Sequence, residues 1–229
     1  MNSPDETRGH SLVDFGPLAR EYDRWYATLD GMKHDATQKA DVLRILGRPG
    51  GPSRLLDVGC GTGHWSCFFA SLGYIVTGMD LSTNMLEIAC KAHGRSVACC
   101  AGNASRLPFE DASFDVAAAM ATLEFLADPA GALREMARCV RTRGHILIGT
   151  LNRAAALNRR RLTEGTQPYA SGHLLSPDAL RELLQPFGPV RMAASDPDRV
   201  FGPERHDRSR RDPLDRSAEG PFIVAVVQR

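Results

Sequence analysis

Residues 55–63 read Leu55-Leu56-Asp57-Val58-Gly59-Cys60-Gly61-Thr62-Gly63. A short apolar run passes into a turn with glycines at alternate positions. HWSCFFASLG (64–73) follows with helical patterning and Gly73 closing it. Glycine allows the sharp bend and lets a ligand approach the main chain closely. The first turn of a helix presents free N–H groups and partial positive charge, which suit a carboxylate or a phosphate. The stretch is therefore a strand–turn–helix junction of the kind around which open α/β sheets build their ligand sites.

The pattern repeats outward from this junction. RLLDVG (54–59), YIVTGMD (74–80), SVACCAG (96–102), FDVAAAMAT (114–122) and HILIGTL (145–151) read as strands. Between them lie helical stretches at 64–73, at 83–92 after the N-cap candidate Ser82, and at 132–140, where ALREMARCV is amphipathic. Alternating strands and helices predict right-handed βαβ units and a parallel sheet covered on both faces. LSPDALRELLQPFG (175–188) is a punctuated helix with Ser176 as N-cap, Pro177 at the first position and Gly188 beyond the end. PVRMAAS (189–195) and FIVAVVQR (222–229) are two closing strands, and the Arg-, Asp- and Pro-rich stretch at 196–220 reads as a charged surface loop. Residues 11–47 read as one or two amphipathic helices, with Leu12, Phe15, Leu18, Tyr22, Trp25 and Tyr26 on one face.

Composition narrows the function classes. The 229 residues are 43% hydrophobic and 24% charged, enough apolar content for a buried core and a single domain over 1–229. With 28 basic and 27 acidic side chains the net charge is +1, which argues against a nucleic-acid partner. No apolar run approaches the ~20 residues of a membrane span. The polar, acid-bearing start MNSPDETRGH lacks the layout of a signal peptide, so the expected location is cytoplasmic. Cys60, Cys67, Cys90, Cys99, Cys100 and Cys139 form no CxxC pair and match no zinc spacing; they read as packing thiols, with no metal site expected.

Asp80 ends the second strand, where a carboxylate can accept both hydroxyls of a ribose lying across the strand ends. A dinucleotide fingerprint would need its third glycine at position 64, which is His64. The third glycine is instead Gly63, and an acid, Asp57, stands two residues before the first glycine. A further block reads Gly102-Asn103-Ala104-Ser105-Arg106-Leu107-Pro108-Phe109, with Ser113-Phe114-Asp115 after it.

With LLDVGCGTG, GMDLS, GNASRLPFEDASFD and ATLEFLADP…ALREMARCVRTRGHILIG on the page, the chain resembles the class I S-adenosylmethionine-dependent methyltransferases over roughly 54–150. It looks closest to the branch that includes the ubiquinone and menaquinone biosynthesis enzymes, and YDRWY (22–26) resembles that branch's N-terminal helix. The resemblance implies a Rossmann-like, seven-stranded, mostly parallel sheet with the last strand antiparallel. It implies S-adenosyl-L-methionine as cofactor, leaving as S-adenosyl-L-homocysteine, and a small-molecule acceptor. It also implies a layout of helical cap (1–50), cofactor core (51–151), lid (152–174) and closing elements (175–229).

By the same resemblance, Gly59, Cys60, Gly61, Thr62 and Gly63 cradle the methionine portion and Asp57 helps hold its amino group. Asp80 takes the ribose, while Leu81 packs beside the adenine and Met85 joins the cofactor set. Asn103 and Ala104 read the adenine edge, although the family usually has Asp at the Asn103 position. Main chain at Met120 and Ala121 approaches the cofactor, and Tyr22 closes over it. Trp25, Tyr26, Asn152, Arg153 and His173 are the acceptor-side candidates, with Tyr169 in the same lid.

Competing readings stand beside these. Asn103 also fits a strand-ending turn, and Tyr22, Trp25 and Tyr26 also fit helix core. Glu124, just past the fourth strand, reads as a catalytic base or counter-charge, or as a helix-start carboxylate. His64 and His145 fit structural roles, and Arg159, Arg160 and Arg161 fit either an anionic acceptor or a solvated helix face. At the level of the whole protein, the alternatives are a catalytically silent partner protein and a methyltransferase of protein or nucleic acid.

Overall fold

The computed structural model describes residues 11–197 and 220–229. The N-terminal stretch 1–10 and nearly all of the expected charged loop (196–220) lie outside the described residues.

Seven strands form one sheet: β1 (Arg54–Val58), β2 (Ile75–Asp80), β3 (Val97–Ala101), β4 (Phe114–Met120), β5 (Val140–Leu151), β6 (Val190–Ser195) and β7 (Phe222–Gln228). Their spatial order is β3-β2-β1-β4-β5-β7-β6. β1 to β5 pair in parallel, and β7 runs antiparallel between β5 and β6. This is the Rossmann-like arrangement the sequence predicts. The winding direction reverses where β4 returns beside β1, and at such a switch point the strand ends leave a crevice.

The helices are α1 (Leu29–Leu46), α2 (His64–Ser71), α3 (Thr83–His93), α4 (Pro129–Cys139), α5 (Ala156–Thr163) and α6 (Pro177–Leu184). Strand alternation sends neighbouring side chains to opposite faces. Leu55 joins Val42, Trp65 and Phe69 from α1 and α2, whereas Leu56 joins Leu133, Met136 and Leu180 from α4 and α6. Each fully buried leucine contributes on the order of 1.5–3 kcal/mol. Two expected caps are formed: the hydroxyl of Ser82 accepts the Met85 amide at 3.4 Å, and that of Ser176 accepts the Ala179 amide at 3.2 Å. No helix among the described residues is long and apolar enough to cross a membrane.

The structure corrects several local readings. Residues 11–21 are not helical; Gly16 and Pro17 interrupt that stretch, since proline lacks the N–H a helix interior needs. A 3-10 turn follows at Tyr22–Ala27, and α1 starts only after Thr28, whose hydroxyl accepts the Gly31 amide. A Cβ on Gly31 would lie 1.9 Å from the Trp25 carbonyl oxygen, so glycine lets the two helical pieces meet. α4 begins ahead of the expected 132–140 span because Asp128 caps it, accepting the Gly131 amide at 2.7 Å. β5 starts at Val140 rather than at 145: Arg143 takes φ +66 and the ladder shifts register between Phe114 and Val116, so the strand runs through Gly144. All six cysteines are free thiols, and Cys90 is exposed, so it is not a packing thiol.

Candidate active site

The turn after β1 is held by main-chain bonds to its neighbour. The Gly59 and Cys60 amides donate to the Met79 carbonyl at 2.7 and 3.0 Å. The Gly61 amide donates to Oδ2 of Asp80 at 2.8 Å, and the Ser82 amide donates to Oδ1 at 2.8 Å. Burial raises the Asp80 carboxyl above its ordinary range, and the amides of Ser82 and Gly61 oppose that shift. Gly59 and Gly61 both take positive φ, +72 and +55. A Cβ on Gly59 would lie 2.3 Å from the Thr122 methyl, so β1 and β4 come together there only with glycine. A Cβ on Gly61 would meet no atom within 4 Å, because this residue is a crest facing open space.

That space is a crevice of about 660 Å³ at the β1/β4 switch point. Tyr22, Gly59, Gly61, Asp80, Leu81, Met85, Asn103, Ala104 and Ala121 line it. Its shape and donors fit S-adenosylmethionine. The crest at Gly61 leaves room against bare main chain. The Asp80 oxygens accept the Gly61 and Ser82 amides, and a carboxylate with about four acceptor sites keeps capacity for a ribose hydroxyl. Leu81, Met85 and Ala104 give an apolar slot for a base. Oδ1 of Asn103 accepts the Ser105 amide at 2.9 Å, which leaves its NH2 group as the donor toward the crevice. The turn reading of Asn103 and the binding reading are thus compatible.

Other expected cofactor residues lie behind the crevice surface. Asp57 is 1% exposed and its Oδ2 accepts the Ser66 hydroxyl at 2.6 Å, pinning α2 to β1. Burial raises its carboxyl to about 7, against the pull of Ser66. Cys60 packs against Gly78, and a Cβ on Gly63 would press on His93 and Ala89 of α3. The Thr62 hydroxyl donates to Oδ1 of Asp23 at 2.8 Å and so ties the glycine turn to the 22–27 turn. Met120 points across to Gly149. These side chains shape the turn from beneath, because a strand exposes only alternate positions and the turn shows mainly its backbone.

A second cavity, about 1140 Å³, adjoins the first. Phe15, Tyr22, Ala121 and Phe125 line both, so they form a shared wall. Ala121 sits there at φ +51, a strained conformation of the kind that concentrates at functional sites. Trp25 and Tyr26 line the second cavity as expected, together with Trp65, Leu157, Arg161, Tyr169 and Phe222. The Tyr26 ring stacks on His64 at 3.8 Å, and His64 in turn bonds Asp35 at 2.7 Å. His64 therefore braces this wall.

Four acceptor-side expectations are not brought to either cavity. Glu124 is fully buried: Oε1 accepts the Leu151 amide at 3.1 Å and Oε2 accepts the Thr150 hydroxyl at 3.0 Å. Burial raises it to about 7. It is a strut between the turn after β4 and the end of β5, not a base at the cavity surface. Its carbonyl accepts the His173 amide at 2.6 Å, so the lid docks through main chain while the His173 side chain is exposed. Asn152 is fully buried, donating to the Gly220 carbonyl and accepting the Ala154 amide, and Arg153 is exposed.

Sequence reading missed Ser11, Thr122 and Leu126 on the first cavity and Leu157 and Phe222 as walls of the second. Tyr169, expected in the lid, does line the second cavity, whereas the missed residues come together by tertiary contact alone. The chain crosses back here, with the Leu12 amide donating to the Phe125 carbonyl at 2.8 Å and Phe15 packing edge-on to Phe125 at 5.0 Å.

Comparison with known proteins agrees with this geometry. Residues 56–148 match the family model described as "Methyltransferase domain". The chain is similar to a malonyl-[acyl-carrier protein] O-methyltransferase of Erwinia pyrifoliae, 36% identical over 60% of this chain and 49% of that one. It is similar to a demethylmenaquinone methyltransferase of Bacillus cytotoxicus, 34% identical over 64% of this chain and 63% of that one. The chain therefore spans between about half and just under two thirds of the length of these curated relatives. A solved S-adenosylmethionine-dependent methyltransferase of Thermotoga maritima superposes with a TM-score of 0.68 at 26% identity, covering 93% of this chain and 97% of that one. These likenesses support a class I S-adenosylmethionine-dependent methyltransferase, and they do not single out the ubiquinone and menaquinone branch.

Proposed function

We propose that this protein transfers a methyl group from S-adenosylmethionine to a small-molecule acceptor held in the second cavity. The observation that carries the proposal is the shared wall: Tyr22, Ala121 and Phe125 face both the crevice at the β1/β4 switch point and an aromatic-lined cavity. In this reading the segment 152–174 is the lid, 51–151 the cofactor core, and the helical part before it the cap.

The cofactor supplies an electrophilic methyl group on a sulfonium whose departure leaves a neutral thioether. The work left to the chain is alignment. Asp80 takes the ribose hydroxyls, the Asn103 NH2 group meets an acceptor on the base edge, and the bare backbone at Gly61 lies against the amino-acid tail. The aromatic walls from Trp25, Tyr26 and Tyr169 hold the acceptor and keep water out. Orientation of this kind is worth up to ~7–11 kcal/mol in favourable cases. Tyr22 stands on the shared wall with its phenol pushed upward by burial first and by nearby Tyr169 and Glu124 second. It therefore stays protonated and acts as a hydrogen-bond donor. A base is required only for an acceptor that must lose a proton first.

The test is methyl transfer itself. Labelled S-adenosylmethionine is incubated with the protein and with separate metabolite, RNA and protein fractions. Label entering the metabolite fraction supports the proposal. Label confined to RNA or protein, or cofactor binding without transfer to any fraction, contradicts it.

A further inference from the structure

The Arg159–Arg161 run divides in the folded protein. Arg160 is exposed and reaches Glu164 at 3.8 Å, and Arg159 is exposed and bonds the Ala154 carbonyl. Arg161 turns inward, half-buried, and lines the second cavity. Its guanidinium carbon stands 4.3 Å from the centre of the Tyr169 ring, and one nitrogen donates to Oδ1 of Asn158 at 3.1 Å. Ring and amide together fix the plane of the fork, and its further N–H donors have no partner among the described residues.

No carboxylate among the described residues pairs with Arg161. The acid at the rim of the cavity, Glu21, is already bound to Arg24 at 3.2 Å. Arg161 is the sole Arg or Lys among the lining residues. A half-buried cation with no carboxylate beside it among the described residues is costly to keep, and a planar guanidinium matches a planar carboxylate through two parallel bonds. One cation suits a monoanion better than a phosphate dianion. The remaining walls are mostly flat rings and aliphatic carbons, including Trp25, Tyr26 and Phe222, with His34, Gln38 and Gln167 as polar side chains among them.

We infer that the acceptor cavity takes a flat, apolar carboxylic acid whose carboxylate is gripped by Arg161. This rests on the proposed methyltransferase reading and names the acceptor class for it. Arg161 lines only the second cavity, whereas Tyr22 and Ala121 line both, so the anchor and the shared wall are separate parts of the site. Arg161 is then a specificity residue: it selects and orients the acceptor away from the reacting atoms.

The probes are 2-naphthoate and its neutral near-isostere 2-naphthalenemethanol, titrated calorimetrically into the full chain with S-adenosylhomocysteine present and absent. The wild type is expected to prefer the carboxylate by about tenfold or more. Arg161→Met is expected to lose that preference by weakening naphthoate alone, and Arg161→Lys to keep part of it. Thermal melting and S-adenosylhomocysteine binding of both variants should match the wild type. Equal affinity for the two probes in the wild type, binding of neither, or an unchanged preference in Arg161→Met overturns the inference. Binding of S-adenosylhomocysteine without carboxylate preference would remove this inference and leave the cofactor reading standing. Carboxylate preference without S-adenosylhomocysteine binding would remove the methyltransferase reading and with it the acceptor role, leaving Arg161 as a carboxylate-binding residue only.

Discussion

The carboxylate of Asp80 accepts the amide of Gly61 at 2.8 Å, so one side chain at the end of β2 both holds the turn after β1 and faces the crevice beside it. Its other oxygen accepts the Ser82 amide and so holds the start of α3. Turn shape and the proposed ribose contact are thereby coupled through a single residue.

Asp80→Ala removes both functions. S-adenosylhomocysteine affinity should fall by about 10–100-fold, the worth of one to two charged hydrogen bonds. Asp80→Asn retains one acceptor for a backbone amide and should fall less. Because burial holds the Asp80 carboxyl above its ordinary range, affinity should also fall on mild acidification, before an exposed aspartate would titrate. Calorimetry across pH on the three proteins checks this, and equal affinities would remove the ribose assignment.

Gly61→Ala and Gly59→Ala separate binding from folding. At Gly61 the added methyl meets no protein atom, and the left-handed φ costs about 1–2 kcal/mol. The melting temperature should fall by only a few degrees, while the methyl projects into the crevice and S-adenosylhomocysteine affinity drops at least about tenfold. At Gly59 the methyl collides with Thr122, and the fold itself should weaken more. Paired melting curves and titrations decide; the reverse ranking would mean the crest at Gly61 does not face the ligand.

Glu124→Gln tests the strut. Burial raises the Glu124 carboxyl to about 7, above the usual carboxylate range, so the folded protein keeps a proton that the unfolded chain has released. Stability from this group is fully present below the unfolded value and is lost as pH rises through about 7. Asp57, also raised to about 7, acts in the same direction. Urea titrations between pH 5 and pH 8 should show the variant gaining on the wild type as pH rises. A difference that is constant with pH would contradict this account.

Arg138 binds the Leu107 and Phe109 carbonyls at 3.1 and 2.8 Å, along with Glu135 and Asp111. It fastens the block that carries Asn103. Arg138→Met should cost about 2 kcal/mol of unfolding free energy. It should also weaken S-adenosylhomocysteine binding by loosening the 102–109 segment. Unfolding and titration together check it, and loss of stability without loss of binding would uncouple the two.

The sheet was legible because its information is local: Leu55-Leu56, Ile146-Leu147-Ile148 and Ile223-Val224 alternate faces, and glycines mark the turns. The crevice was legible for the same reason, since Gly59, Gly61, Asp80 and Asn103 are set by strand ends. The acceptor side was much less so. Whether Glu124 turns toward the cavity or toward β5 depends on Thr150 and Leu151, which no spacing in the chain announces. Asn152 and His173 sit where the lid begins and ends, yet Asn152 is spent on the Gly220 carbonyl and His173 docks by its backbone. The helical periodicity around Phe15 and Leu18 was real, but Gly16 and Pro17 turn that segment into a strap across the crevice.

The most direct measurement is a crystal structure of the full chain with S-adenosylhomocysteine. The account predicts ribose hydroxyls on Asp80, the amino-acid tail against Gly61, and the sulfur beside Ala121 and Tyr22, turned toward the aromatic cavity. A ligand bound elsewhere, or a sulfur facing away from that cavity, would contradict it.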